Sequence, residues 1–311
     1  MNRKPIWIDC DTGVDDTFAI LTALGLEELE ILGVSAVVGN TRLEQGFKNS
    51  RDVLSLGGRE DIKVYKGAET PLVRPAADAS YFHGKNGVGD VELKPSNAPV
   101  EEKLAWDAMY ETFKASKEKV TVCTIGPLTN MAIAIAKYPD IVDYIKEINM
   151  MGGAAIGGNV TPSAEFNIYH DPEAAENIFK SGIHVNMFGL DVTRKAYLTL
   201  EDLDEIGAMD NAPAKTARAI VNLPLSFLEH DNRQKNICLH DSTPIIYAAH
   251  PEFFEGRDCG VFVETQGKIT TGKTCTDIWT DYKYEDRHCT VFLEVNKDEV
   301  VKLTKKVFGS Y

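Results

Sequence analysis

Four aspartates lie within eight residues near the N-terminus: Asp9, Asp11, Asp15 and Asp16, with Gly13 in the middle of the run. Carboxylates this close repel one another, and burying one without a partner is costly. A hard divalent cation such as Ca²⁺ or Mg²⁺ would offset that repulsion, because these ions take carboxylate oxygens as ligands. The residue types and their spacing therefore predict a metal site rather than a solvated helix cap.

The aspartates fall where a short apolar strand meets a helix. Residues 5–8 form the apolar run, and the first helical turn contains Asp15 and Asp16, where the helix dipole favours negative charge. Gly13 is expected to supply the tight turn between them. In open α/β sheets, ligands bind at the carboxyl ends of the strands, so this is the edge where we expect the site.

Strand and helix patterns alternate along the chain. We predict strands at residues 6–8, 30–39, 62–65, 119–125, 148–151 and 185–190, and helices at 15–26, 41–56, 106–116, 127–136 and 172–180. Residues 71–100 show no period, residues 201–234 have a helical pattern, and residues 261–263 and 291–293 have a β pattern. The alternation favours one α/β domain over residues 1–311, with a mostly parallel sheet covered by helices on both faces.

The composition limits the partners. A formal charge of -14 argues against nucleic acid and against an anionic membrane surface. We see neither a signal peptide nor a spanning segment, and the six cysteines form no C-x-x-C pair. We therefore expect a cytoplasmic protein with reduced thiols and a small-molecule ligand.

Further polar or loop residues follow the later strands. Asn40, Ile125 and Met151 stand at predicted strand ends, so they should join the aspartates at a common rim. Neither G-x-G-x-x-G nor G-x-x-x-x-G-K-[ST] occurs between a strand and a helix. An acidic rim without a phosphate-binding loop should prefer a neutral ligand rich in hydroxyl groups.

Short motifs in a fixed order carry a resemblance to a known family. They lie at residues 9–16, 38–40, 83–84, 126–130, 151–153, 165–167, 171–175, 240–241 and 270–272. Together they resemble the inosine-uridine-preferring nucleoside hydrolases over essentially the whole chain. The resemblance implies a single α/β domain with a Rossmann-like core, a tightly bound Ca²⁺, and hydrolysis of the N-glycosidic bond of ribonucleosides to ribose and free base.

The resemblance also implies roles for individual residues around the metal. Asp11, Asp16, Asp241 and the backbone carbonyl of Ile125 would hold the Ca²⁺, a donor set that suits a hard cation. Asp11 would also act as general base toward a water bound to that metal. Asp9 would support the site from behind.

The same resemblance implies that polar side chains bind every hydroxyl of the ribose. Asp15, Asn40 and Asn167 would contact the 2′ and 3′ hydroxyls. Asn159 and Glu165 would lie toward the 5′ hydroxyl, with Met151 beneath the sugar. A carboxylate near the 5′ end would repel a phosphate, so we expect low activity on nucleoside monophosphates.

At the base, the resemblance makes His240 the candidate general acid, with a pKa expected near neutrality. His83 and Phe166 would contact the base. A segment at residues 223–236 corresponds to one that covers the base in the family, often with tyrosines. Here it contains Phe227 and His230 but no tyrosine, so the preference between purines and pyrimidines stays open.

Two other classes fit parts of the sequence. A haloacid-dehalogenase-like phosphatase also begins with a strand and D-x-D, and would use Asp9 as its nucleophile. A Ca²⁺- or ribose-binding protein would need no base beside the metal. The oligomeric state cannot be predicted from the chain, and the family suggests homodimers or homotetramers.

Overall fold

The computed structural model of the chain describes residues 3–76, 83–230, 235–278 and 288–311. Its strands are β1 (Lys4–Cys10), β2 (Leu29–Ala36), β3 (Val64–Lys66), β4 (Val120–Thr124), β5 (Ile145–Met151), β6 (Val185–Phe188), β7 (Tyr197–Thr199), β8 (Asn236–Cys238), β9 (Phe254–Cys259), β10 (Val261–Val263), β11 (Thr274–Thr276) and β12 (Cys289–Val295).

The α-helices are α1 (Val14–Gly25), α2 (Leu43–Leu56), α3 (Ala105–Ala115), α4 (Thr129–Lys137), α5 (Phe166–His170), α6 (Pro172–Phe179), α7 (Leu190–Thr193), α8 (Leu200–Gly207), α9 (Ala212–Ile220), α10 (Asn222–His230), α11 (Ser242–Ala249) and α12 (Lys297–Phe308). Short 3-10 helices lie at Pro139–Tyr144 and Pro251–Phe253.

Eight strands form the central sheet in the order β3-β2-β1-β4-β5-β6-β12-β9. All neighbours pair in parallel except β12 and the edge strand β9, which are antiparallel. Smaller antiparallel pairs join β7 to β8 and β10 to β11. The predicted fold class, a mostly parallel sheet in a single α/β domain, is confirmed.

The sheet carries a hydrophobic core on each face, which is what buried parallel strands require. Strand β1 shows this directly, because Ile6, Ile8 and Cys10 belong to one core and Trp7 to the other. The Trp7 ring stacks on Tyr65 at 5.6 Å between ring centroids. Helices on both faces complete the two cores and leave the carboxyl edge of the sheet to the loops.

Several predicted boundaries shift. The strand predicted at 30–39 ends at Ala36, and the strand predicted at 185–190 ends at Phe188, because residues 190–193 form α7. The pattern at 201–234 is helical as predicted through residue 230, and residues 231–234 lie outside the described residues. The sequence did not predict β7, β8 and β11, which have three residues each, or β9, which is exposed at four of its six residues.

All six cysteines are free thiols, as expected. Among the described residues, no helix has the length and apolar character needed to cross a membrane.

Candidate active site

The loops at the carboxyl edge of the sheet enclose a cavity of about 660 Å³. Its lining contains most of the residues that the sequence assigns to the site: Asp15, Asn40, His83, Ile125, Met151, Asn159, Glu165, Phe166, Asn167, His240 and Asp241. Asp11 and Asp16 do not line it and are fully buried next to it. The predicted common rim therefore exists, and its two most buried aspartates lie behind the surface.

The loop from β1 to α1 is held by its own aspartate. The Asp16 carboxylate accepts hydrogen bonds from the backbone N–H of Asp11 at 3.2 Å and of Gly13 at 2.8 Å. Gly13 has φ of -105°, so it is not needed for a left-handed turn. It is needed for space, because a Cβ there would lie 2.6 Å from Nδ1 of His83. Gly13 is therefore required for space beside His83 and not, as the sequence predicted, for a tight turn.

The Asp11 carboxylate is half satisfied. Its Oδ2 accepts the backbone N–H of Asn40 at 2.7 Å, whereas its Oδ1 is buried and accepts no hydrogen bond from the described residues. Burial and the neighbouring Asp16 charge raise the pKa of Asp11 well above its usual range. An orphaned carboxylate oxygen in a buried acidic cluster has the chemistry of a cation ligand.

Two more carboxyl groups, those of Asp15 and Asp241, have raised pKa values for the same reasons. Burial and the charge of Asp16 raise the pKa of Asp15 to about 7. The pKa of Asp241 is also raised, first by burial and then by the charges of Asp16, Asp15 and Asp11. Asp241, which is distant in sequence, is thus electrostatically coupled to the N-terminal cluster.

The donor set fits a hard cation in kind, since it combines carboxylates with the Ile125 carbonyl. That carbonyl currently accepts the Asn167 side-chain amide at 3.1 Å. Among the described residues, no three His, Cys, Asp or Glu side chains meet at the spacing of a metal centre. The fit therefore rests on the orphaned Asp11 oxygen and the coupled carboxyl groups rather than on a closed cluster.

Glu165 and its neighbours form a rigid corner of the cavity. The Glu165 carboxylate caps α5 by accepting the backbone N–H of Asn167 and Ile168, and it accepts Gly153 N–H at 2.9 Å. Burial still raises the pKa of Glu165 to about 7. Asn159 accepts the backbone N–H of Phe166 at 2.9 Å. This capping function of Glu165 was not predicted from the sequence.

Two histidines line the cavity. Nδ1 of His240 lies 2.8 Å from Thr193 Oγ1, and Nδ1 of His83 accepts Val14 N–H at 3.3 Å. Burial lowers the pKa of each to about 4, helped by the Arg194 charge for His240 and by the neighbouring His240 for His83. The unperturbed, near-neutral pKa of histidine, which suits a general acid, is thus lowered for His240, because the imidazolium would be desolvated beside a guanidinium.

Asp9 is fully buried and does not line the cavity. Its Oδ1 accepts hydrogen bonds from Ser35 and from the Asn130 amide at 2.8 Å. Burial raises its pKa to about 7. A nucleophile must reach its substrate, so this placement argues against the phosphatase alternative.

The structure adds cavity residues that sequence reasoning missed. They are Val14, Val160, Arg194 and Ile237, and Thr193 contacts His240 from behind. The described part of the segment 223–236, which the sequence had assigned to the base, contributes Pro224, Phe227, Leu228 and Asn236 to the lining. Thr193 and Arg194 come shortly after β6, so their position past a strand end was the available signal. Ile237 had no such signal, because its strand β8 has three residues and lies outside the central sheet.

Comparisons with known proteins agree with this geometry. A family model described as inosine-uridine preferring nucleoside hydrolase matches residues 6–302. The pyrimidine-specific ribonucleoside hydrolase RihA of Shigella boydii serotype 4 is 39% identical over 306 residues, covering 96% of both chains. Its namesake from Shewanella oneidensis is 36% identical over 312 residues, covering 99% of this chain and 96% of the relative.

A solved structure of a purine-preferring ribonucleoside hydrolase from Gardnerella vaginalis superposes with a TM-score of 0.93 at 31% identity, covering 99% of this chain and 98% of that one. The α/β sheet with a polar cavity at its carboxyl edge is thus the architecture of a glycoside-cleaving hydrolase. The chain belongs to the inosine-uridine preferring nucleoside hydrolase family. It is an enzyme that hydrolyses ribonucleosides, as the sequence resemblance predicted, and a non-catalytic binding protein is not supported.

Proposed function

We propose that the enzyme hydrolyses ribonucleosides in a Ca²⁺-dependent reaction, with pyrimidine ribonucleosides as preferred substrates and purine ribonucleosides as the second candidate. The observation that carries the metal dependence is the buried Asp11 Oδ1, which has no hydrogen-bond partner among the described residues. The pyrimidine preference is supported by the RihA relatives at 39% and 36% identity. The purine alternative is supported by the likeness to the purine-preferring structure.

The residues that would hold the cation are Asp11, Asp16, Asp241 and the carbonyl of Ile125. When bound, Ca²⁺ would lower the pKa of the attacking water and hold ribose hydroxyls. Its positive charge would also relieve the mutual repulsion that raises the pKa values of Asp11 and Asp241.

Asp11 takes a proton from the water that attacks C1′ of the ribose. As the new C1′–O bond forms, the C1′–N bond breaks and its electron pair leaves with the base. The departing base takes up a proton and Asp11 releases the one that it took from water, so that the products are ribose and the free base. Glycosidases share an oxocarbenium-like transition state, and the surrounding carboxylates stabilise its positive charge.

The ribose is held by polar residues of the cavity wall. Asp15, Asn40 and Asn167 bind the 2′ and 3′ hydroxyls, while Asn159 and Glu165 lie toward the 5′ hydroxyl and Met151 packs beneath the sugar. Glu165 and Asn159 are themselves fixed by backbone N–H groups, so little side-chain freedom is lost on binding.

His240 contacts the leaving base, and His83 and Phe166 make further contacts with it. Thr193 Oγ1 lies within hydrogen-bond distance of Nδ1 of His240. In the tautomer in which Thr193 donates, the imidazole proton is on Nε2, and the neutral ring donates it in a hydrogen bond to the base. This form of assistance does not need an imidazolium, which burial disfavours here.

The test is a panel of uridine, cytidine, inosine and adenosine, assayed for free ribose before and after chelation of metal. We expect the highest turnover with uridine or cytidine, loss of activity after chelation, and recovery with Ca²⁺. Full activity of the chelated protein would contradict the metal dependence. Higher turnover of inosine would favour the purine alternative.

A matched pair of variants separates the two mechanisms that the N-terminal motif allows. Asp11→Asn removes the proposed base and metal ligand, whereas Asp9→Asn alters a residue that supports the site from behind. We expect the loss in kcat to be much larger for Asp11→Asn. The phosphatase alternative requires the reverse order and hydrolysis of nitrophenyl phosphate but not of nitrophenyl riboside.

We also propose a cytoplasmic homodimer or homotetramer that binds neither nucleic acid nor membranes. The support is the acidic net charge of -14 and the family resemblance. Light scattering coupled to size exclusion measures the mass, and a monomer at micromolar concentration would contradict the assembly.

A further inference from the structure

Asn49 joins two loops that reach the cavity from different parts of the chain. It lies in the middle of α2 and is 1% exposed. Its side-chain amide donates to the backbone carbonyl of Thr12 at 3.0 Å and to that of Asn86 at 2.8 Å. Thr12 belongs to the loop from β1 to α1, whereas Asn86 belongs to the loop at residues 83–91, which begins with His83. The proposed metal site and the proposed ribose contacts do not involve Asn49.

The contacts of Asn49 determine how its amide is oriented. Two carbonyl oxygens face the same end of the amide, and a carbonyl oxygen only accepts, so this end is the NH₂ group and both of its hydrogens are used. The side-chain oxygen of Asn49 accepts the amide of Gln45 at 2.8 Å. A side chain without two donors at this position would therefore lose the link between the two loops.

The loop at residues 83–91 is tightly folded. Four of its residues have a left-handed backbone, with φ between 58° and 84°: Gly84, Gly87, Gly89 and Asp90. The side-chain oxygen of Asn86 accepts the backbone N–H of Val88 at 2.9 Å and of Asp90 at 3.0 Å. The loop's own contacts thus fix its shape, and its contacts with neighbouring elements fix where it lies.

The loop meets the start of α1 at two points. A Cβ at Gly87 would lie 3.1 Å from Nδ2 of Asn49 and 3.5 Å from the carbonyl oxygen of Thr12, so the backbone approaches both closely. At the other point, Nδ1 of His83 accepts the N–H of Val14 at 3.3 Å. The place of His83 beside α1 therefore depends on how this loop is seated.

The loop from β1 to α1 has supports besides Asn49. The Asp16 carboxylate accepts two backbone N–H groups of this loop, and the Thr12 hydroxyl lies 2.6 Å from the hydroxyl of Ser50. Loss of the Asn49 amide should therefore displace residues 83–91 more than it displaces the carboxylates.

We propose that Asn49 is a positioning residue for the leaving base, because its two hydrogen bonds set His83 at a fixed place relative to the carboxylates of the site. The inference rests on the proposed function for the contact between His83 and the base. It extends that function by naming a side chain outside the cavity lining that couples the base contact to the loop of the metal ligands.

The test replaces Asn49 with Leu, which has a similar shape but no hydrogen-bond donor. We expect Asn49→Leu to lower kcat/KM for uridine by about tenfold. Nitrophenyl riboside, whose leaving group needs no proton, should be nearly unaffected, and Ca²⁺ affinity in titration calorimetry should stay as in wild type. Inosine replaces uridine in this comparison if it is the better substrate.

Hydrogen exchange followed by mass spectrometry locates the effect without an activity assay. In Asn49→Leu we expect faster amide exchange in residues 83–91 and unchanged exchange in residues 11–16. Faster exchange in both loops, together with weaker Ca²⁺ binding, would show that Asn49 mainly holds the metal ligands. That result would overturn the proposal.

The matched control is Asn211→Leu. Asn211 also joins two elements, because it caps α9 by accepting the N–H of Ala214 and donates to the carbonyl of Phe308 at 2.8 Å, and it does not line the cavity. We expect this variant to lower the free energy of unfolding without changing the ratio of kcat/KM for the two substrates. If Asn49→Leu behaves in the same way, its role is structural only and the proposal is wrong.

Two more variants complete the test. Asn86→Ala, which serves if Asn49→Leu does not fold, removes hydrogen bonds inside the loop and should also slow uridine selectively; equal losses on both substrates would count against the proposal. His83→Ala tests the proposed base contact itself. If it leaves uridine hydrolysis unchanged, that contact fails and the role of Asn49 fails with it. If only His83→Ala slows uridine selectively, the base contact stands and the role of Asn49 is refuted.

Discussion

His240 Nδ1 and Thr193 Oγ1 lie 2.8 Å apart, although the two residues are 47 positions apart in the chain. Thr193 is fully buried at the end of α7, and His240 lines the cavity just before α11. A buried hydroxyl at this distance orients the imidazole, and it can do so as donor or as acceptor.

Replacing His240 with Ala should slow nucleosides far more than activated substrates. We expect kcat for uridine to fall by about 10²–10³-fold, because the base loses its hydrogen-bond donor. Nitrophenyl riboside, whose leaving group needs no proton, should be spared. Steady-state kinetics on both substrates measures this, and equal losses would count against the role of His240.

Thr193→Val should also slow nucleosides more than nitrophenyl riboside, but by less than His240→Ala does. The imidazole loses the hydrogen-bond partner of its Nδ1, so we expect about a tenfold fall in kcat for uridine. Thr193→Ser keeps the hydroxyl and should restore most of it. A similar loss in both variants would show that the methyl group, and hence packing, is what matters.

Gly39 should be intolerant of a side chain because of Asp11. A Cβ at Gly39 would lie 2.0 Å from Asp11 Oδ2, so Gly39→Ala must displace that carboxylate. We expect a fall in kcat of at least about tenfold, with a lower Ca²⁺ affinity in titration calorimetry. Gly46→Ala is the control, since its nearest neighbour would lie 3.4 Å away. Unchanged kinetics in Gly39→Ala would contradict the importance of Asp11 geometry.

Glu165 should discriminate against nucleotides. The wild-type enzyme is expected to hydrolyse uridine well and its 5′-monophosphate poorly, because a carboxylate near the 5′ end repels a phosphate. Glu165→Gln removes that charge and should raise the monophosphate-to-uridine ratio of kcat/KM. Equal turnover of the two substrates by wild type would refute the assignment of Glu165 to the 5′ end.

His170 should make the fold sensitive to acid. Neither ring nitrogen has a hydrogen-bond partner among the described residues, and burial lowers its pKa to about 4. The unfolded chain protonates this residue near pH 6.5, so between about pH 6.5 and 4 the unfolded state binds more protons and stability falls as pH falls. Over this whole pH range, His170 lowers the free energy of unfolding by about 3 kcal/mol.

His170→Leu should abolish that part of the acid sensitivity. The urea midpoint of wild type should fall between pH 7.5 and pH 5. The midpoint of His170→Leu should fall by less over the same change in pH. His250→Gln is the control, because His250 is less buried and lies 3.1 Å from Glu252. If His170→Leu and wild type lose the same stability on acidification, the buried imidazole is not the cause.

Much of the fold was predictable because buried parallel strands and amphipathic helices leave local patterns. Residues 119–125 read as a buried strand, and β4 (Val120–Thr124) is buried along its length. Strands β8 and β9 left no such pattern. Strand β9 is exposed at four of its six residues, and its pairing is decided by β12, which lies far along the chain.

By itself, the sequence determined that an acidic cluster at Asp9–Asp16 follows a strand and enters a helix, and that the ligand is neutral and rich in hydroxyls. The tertiary structure decided how those aspartates differ. Asp16 binds the backbone of its own loop, and Asp11 keeps its Oδ1 without a partner among the described residues. Asp9 lies off the cavity lining and accepts Ser35 and Asn130 on its Oδ1, while its Oδ2 also lacks a partner among those residues.

The family resemblance had grouped Asp241 with that cluster, and the tertiary structure couples their charges. Only the tertiary structure lowered the pKa of His240 and set Arg194 on the cavity wall. The physical reason is that residue types and spacing act locally. Desolvation and charge coupling depend on which distant side chains the sheet brings together, and no local pattern in the chain records that.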